Sequence, residues 1–123
     1  MVHHMRLRSQ PYEQIAAGTK IFELRLYDEK RRAIRVGDTV AFVNAEDDSR
    51  CLFCEVVALH VFPSFRVLYR SLPLLACGYT EQTLPTASYT DMEVYYSKEE
   101  QEKYSVVGIE LRLLVAEAPF FKR

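Results

Sequence analysis

The sequence has little cysteine, almost no net charge and no long apolar run, and each shortage removes a class of protein. Only three of the 123 residues are cysteine, an odd number that cannot pair off internally, which argues against a secreted disulfide scaffold. Lysine and arginine (16) nearly cancel aspartate and glutamate (17), leaving a formal charge of −1. A protein that grips a long nucleic-acid backbone regardless of sequence is basic overall, so any phosphate contact here must be local. No stretch reaches the roughly 20 apolar residues of a membrane helix. The opening MVHHMRLRSQ alternates and lacks the apolar core of a signal peptide, so a cytoplasmic location without membrane contact is expected. Internal repeats and low-complexity tracts are also missing.

What remains is a chain with 49% hydrophobic residues, enough for a buried core and of a length that fits one domain spanning 1–123. His4 to Arg8 alternates and reads as a first strand. A short helix follows, with Pro11 at its first position, Ile15 and Ala16 inward, and Gly18 as a left-handed C-cap. Lys20 to Tyr27 forms a second strand, with Phe22, Leu24 and Leu26 on the face expected to look inward and Glu23, Arg25 and Tyr27 on the other. After a charged connection closed by a Gly37-Asp38 turn, segments 38–44 and 51–62 flank the polar AEDDSR, which suggests an antiparallel hairpin.

Ser64 caps a helix that Pro73 ends, and residues 72–89 form a long irregular stretch, a candidate lid. TDME and SKEE read as successive capping boxes that start helical turns at Asp91 and Lys98, and Val106 to Ala116 is the closing strand. Five to six strands with inserted short helices and no βαβ rhythm describe an α+β domain. A curled sheet or partly closed β-barrel with helices on one side is expected.

Cys51 and Cys54 form a CxxC, but on a strand an odd separation sends the two side chains to opposite faces. Neither a redox dithiol nor a zinc half-site is favoured, and buried thiols are the simpler reading. His3, His4 and His60 show no ligand spacing, so no metal and no other cofactor is expected.

The unusual feature is GTKIFELR, which sets Lys20, Glu23 and Arg25 on one strand. Taken alone, an outward Glu23-Arg25 pair is a weak surface contact worth about 0 to 1 kcal/mol. Tyr27, Lys30, Arg31, Arg32 and Arg35 follow closely, and cations beside an aromatic ring suit a ligand that carries both a phosphate and a base. Lys20, beside a helix end, serves either as a general base or nucleophile or as a fixed cation. Glu23 can accept from a base amine or act as an acid/base partner for Lys20, and Arg25 offers a planar fork for anions and carbonyls. Tyr27 and Tyr79 are candidate stacking rings.

Gly18, Lys20, Glu23 and Arg25 spell GxKxxExR, and in this the chain resembles the ASCH domain family of the PUA-like superfamily. The segments PYEQIAAG, RRAIRVGDTVAF and YYSKEEQEKYSVVGIEL are similar to the corresponding family segments, so the resemblance covers nearly the whole chain. It implies a small β-barrel with flanking helices and a cleft in which the motif charges gather. It also implies a partner that is RNA or a nucleoside or nucleotide. One branch resembles amidohydrolases that release an acyl group from acetylated cytidine, and others are associated with RNA cleavage. In the amidohydrolase branch the position of Glu23 is threonine and the carboxylate comes from later in the chain, where Glu81 is the nearest candidate. The sequence therefore supports an RNA- or modified-nucleoside-binding domain. The alternatives are an enzyme with Lys20 and Glu23 as catalytic groups, an amidohydrolase or ribonuclease, and a protein-interaction module. Oligomeric state is open.

Overall fold

Hydrophobic alternation on five segments builds one mixed sheet, described by a computed structural model over residues 1–115. The strands are β1 (Val2–Leu7), β2 (Phe22–Leu26), β3 (Thr39–Asn44), β4 (Asp47–Phe62) and β5 (Val106–Val115). Their order across the sheet is β1-β3-β4-β5-β2. β1 runs parallel to β3, and the other neighbours are antiparallel. Register shifts at Phe53/Cys54 and Val56/Ala58 bend the 16-residue β4 and curl the sheet into a half-barrel. The architecture is α+β with short helices: α1 (Ser9–Ala16), α2 (Glu29–Arg32), α3 (Phe65–Ser71) and α4 (Lys98–Tyr104). No described helix is long and apolar enough to cross a membrane.

Both faces of the curl are packed. Inside it, Val40, Phe42, Leu52, Cys54, Val56, Val107 and Ile109 meet Tyr12 and Ile15 of α1. Arg50 holds α1 to β4, reaching Glu13 at 2.7 Å. On the other face, Leu24, Leu26 and Val106 pack against Phe65 and Leu68 of α3. The expectation of helices on one side is thus replaced by a helix layer on each face.

Several local expectations shift for physical reasons. α1 begins at Ser9, so Pro11 is its third residue, still in the first turn where no N–H is needed. Ser9 N–H is satisfied from outside, by Glu46 Oε2 at 2.7 Å. The hairpin turn shrinks to Ala45 and Glu46, because the buried Asn44 carboxamide accepts from Glu46 N–H at 2.8 Å and lets pairing start at Asp47. The charged connection contains the helical turn α2, capped by Asp28. The first predicted capping box sits two residues earlier, on Ser88 with Asp91 at its third position, whereas the second is Ser97 with Glu100 as expected. Ala116, the predicted last residue of the closing strand, lies outside the described residues. All three cysteines are buried.

Candidate functional site

The reversal after α1 is what delivers Lys20. Gly18 adopts φ 81, a left-handed conformation that glycine takes without steric cost. The N–H groups of Thr19 and Lys20 then both donate to Gln14 O, at 3.0 and 3.1 Å. Ile21 N–H donates to Ala76 O at 2.8 Å, which ties the start of β2 to the 3₁₀ turn Leu74–Cys77.

Lys20 is 7% exposed and Glu23 6%, which overturns the expectation of an outward charged face. Paired residues on neighbouring strands share a face. Glu23 is paired with Ile109 and Arg25 with Val107, both members of the inner core, while Leu24 and Leu26 look towards α3. β2 is therefore buried on both sides, and its charged side is the inner one.

Burial of three charges is tolerable because they satisfy one another. Lys20 Nζ donates to Phe22 O at 2.7 Å and to Cys77 O at 2.8 Å, and lies 3.4 Å from Glu23 Oε1. Arg25 Nε donates to Glu23 Oε2 at 2.6 Å, and its Nη2 crosses to Arg6 O at 3.1 Å. The row Lys20⁺, Glu23⁻, Arg25⁺ thus runs from the 3₁₀ turn to β1 and bridges the two edges of the sheet. Burial works to raise the Glu23 pKa, but the Lys20 and Arg25 charges outweigh it and hold the carboxyl below its usual range. Burial works against the Arg25 charge in the same way, and Glu23 more than offsets it.

Above this row opens a cleft of about 520 Å³, within the span typical of small-molecule sites. One wall is a hydrogen-bonded chain: Tyr69 Oη lies 2.7 Å from Tyr79 Oη, which donates to Asp91 Oδ2 at 2.6 Å. Tyr95 and Tyr96 line the cleft too, as do Arg6 of β1 and Arg8, which follows it at the cap of α1. The Tyr96 hydroxyl is raised by burial, an effect the Arg25 and Arg31 charges oppose.

Of the residues singled out in sequence, Lys20, Glu23, Arg25 and Tyr79 line this cleft. Arg31 does not line it, and its Nη1 lies 3.2 Å from Asp28 Oδ2. Tyr27 packs on the inner core with Arg32 over its ring, 4.4 Å from the centroid, and does not line the cleft. Lys30 and Glu81 are exposed and also lie outside the lining. The stretch from 72 to 89 is anchored at its beginning, where Cys77 O and Gly78 O accept from Lys20 and Gln14. Among the described residues no cluster of three or more His, Cys, Asp or Glu is arranged to hold a metal ion.

Sequence reasoning missed Arg6, Arg8, Tyr69, Asp91, Tyr95 and Tyr96. Tyr95 and Tyr96 carried a weak signal as adjacent rings before a capping box, and Asp91 was read only as a capping residue. Arg6 and Arg8 gave none, since only closure of the sheet brings β1 to the motif.

A family model, described as ASCH domain, matches residues 5–115. The crystal structure of hypothetical protein PH0355 is similar with a TM-score of 0.76 at 30% identity, covering 93% of this chain and 100% of that one. The solution structure of protein PF0455 from Pyrococcus furiosus has a TM-score of 0.66 at 30% identity, with 93% and 98% covered. The crystal structure of ASCH from Zymomonas mobilis, at 16% identity and a TM-score of 0.61, covers 90% of this chain and 66% of that one and shares the fold. No curated protein matches in sequence. With the half-barrel, its short helices and this match over nearly its whole length, the chain belongs to the ASCH domain family.

Proposed function

We propose that the protein binds RNA or a modified nucleoside in the cleft above Lys20, Glu23 and Arg25. The observation that carries this reading is a buried carboxylate, kept ionised between two cations, at the foot of a cleft walled by tyrosines. A nucleobase needs those three provisions: an acceptor for its amino or imino hydrogens, rings to stack on, and cations for the attached phosphate. Glu23 supplies the first, Tyr95 and Tyr96 the second, and Arg6 and Arg8 the third. The near-zero net charge favours a nucleoside or a short segment over a long strand.

Lys20 serves this reading as a fixed cation. An ammonium has three N–H donors, and Nζ has three oxygen partners in Phe22 O, Cys77 O and Glu23 Oε1. A neutral amine in the same place would aim its lone pair at an oxygen. The geometry therefore supports binding better than attack by Lys20.

The test is incubation of the purified protein, beside Glu23→Gln, with nucleosides, acylated nucleosides and short RNAs. Binding is read by thermal shift and products by mass spectrometry. Glu23-dependent stabilisation without product is expected. Release of an acyl group would make the protein an amidohydrolase and strand scission a ribonuclease. An inert panel, with a protein partner lost on Arg25→Ala, would make it an interaction module.

A further inference from the structure

The hydrogen-bond chain on the cleft wall has a direction, and the direction specifies what it can recognise. A carboxylate only accepts, so Asp91 Oδ2 takes the single hydroxyl hydrogen of Tyr79. Tyr79 then has only lone pairs left, and Tyr69 must be the donor across their 2.7 Å contact. With its hydrogen committed, the Tyr69 oxygen meets any further partner as an acceptor. The arrangement is held in place: the two rings stand edge to face with centroids 5.8 Å apart, and Asp91 is fixed as the third residue of a 3₁₀ turn by Ser88 N–H at 3.2 Å. Burial pushes the Tyr69 hydroxyl up to about 12 and raises Tyr79 further, with the bond to Asp91 adding to burial, so both stay protonated in neutral solution.

We propose that Tyr69 is a specificity-determining residue, fixed as a hydrogen-bond acceptor by Asp91 through Tyr79, and that it selects ligands whose recognised edge donates a hydrogen, such as the exocyclic amine of a base. The proposal rests on the nucleoside reading of the cleft. Tyr79 and Asp91 act through Tyr69 and are positioning residues. Asp91→Asn could turn its amide N–H to Tyr79 at the cost of the Ser88 bond, since Ser88 N–H and the Tyr79 hydroxyl meet the same oxygen, Oδ2. The chain could then run in reverse and leave Tyr69 a donor.

The test uses nucleosides that differ only by the amine: cytidine against pyrimidin-2-one riboside, and adenosine against purine riboside. Each is titrated calorimetrically into the full chain, with wild type beside Tyr69→Phe and Asp91→Asn and the melting temperature of each variant recorded. Wild type should prefer the amino member of at least one pair by roughly three- to ten-fold, the value of one neutral hydrogen bond. Tyr69→Phe should lower the ratio to the share that Glu23 supplies, and Asp91→Asn should shrink it while leaving the fold intact. A merely structural role for these residues would weaken both members alike and leave the ratio unmoved, which overturns the proposal. So does binding of both members with equal affinity by wild type, a result that leaves the nucleoside reading standing. Failure of all four nucleosides to bind wild type overturns the assignment of Tyr69, and the reading of the cleft falls with it only if the acylated nucleosides and short RNAs fail as well.

Discussion

Replacing Glu23 by glutamine removes one charge from a buried row of three and keeps the side-chain shape. Loss of one member of a buried ion pair costs about 3 to 5 kcal/mol, because the partner is left uncompensated. Here the cations retain carbonyl partners, Lys20 at Phe22 and Cys77 and Arg25 at Arg6, and the amide oxygen can still accept from one of them. The expected loss therefore lies at or below the lower end of that range, about 2 to 4 kcal/mol. For a domain of 123 residues this corresponds to a fall in melting temperature of roughly 8 to 16 °C. The pH dependence follows from the sign of the shift. The folded carboxyl titrates below its usual value of 4.5, so its contribution is complete above that value and is lost as the pH drops through the folded pKa. Thermal melts by circular dichroism between pH 8 and pH 3 should show a wide gap between wild type and variant at neutrality that closes in acid. A gap under about 2 °C at pH 7, or one that stays constant down to pH 3, would refute the reasoning that these charges hold β2 in the core.

Gly78 has φ +112 and a Cβ there would lie 3.2 Å from Gln14 Oε1 and 3.6 Å from Lys20 Nζ. Gly78→Ala should therefore cost about 1 to 2 kcal/mol in urea unfolding and weaken ligand binding by shifting Lys20. Gly108→Ala sets a methyl 2.6 Å from Leu72 Cδ1, and the overpacking should cost about 1 to 3 kcal/mol in the same assay. Arg25→Lys keeps the charge but cannot span both Glu23 and Arg6 O, so hydrogen exchange of β1 and β2 amides should speed up while that of β4 stays slow. Burial pushes the Cys54 thiol up to about 12 and that of Cys77 to about 11. A maleimide at pH 7 should label neither in the native protein and both after denaturation.

The strands were legible because alternation is a local property: Val107, Ile109 and Leu111 announce β5 whatever they pack against. The same rule misassigned the faces of β2. Apolar Phe22, Leu24 and Leu26 were matched to the interior, but this strand is covered on both sides, and only the pairing of Glu23 with Ile109 reveals which side is inner. Lys20, Glu23, Arg25 and Tyr79 could be named in advance because charges on a strand are conspicuous. Arg6, Arg8 and Tyr69 could not, since they reach the cleft through sheet order and helix packing, and neither is written in their neighbours. Tyr27 and Lys30 show the converse, being close to the motif in sequence and outside the cleft in space.

The bridge from Arg25 to Arg6 O also bears on how the chain folds. β3, β4 and β5 can pair through antiparallel neighbours, whereas β2 must find β5 across most of the chain, Glu23 opposite Ile109. Contacts of such long sequence separation carry the greatest loop-closure cost and are the slow ones to form. The seam between β1 and β2 can close only after both strands have docked, and the Lys20-Glu23-Arg25 row gains its bond to Arg6 O only then. On the proposed function, ligand binding at this cleft would therefore report completed folding: a chain that has paired its central strands but not its edges has a core and no cleft.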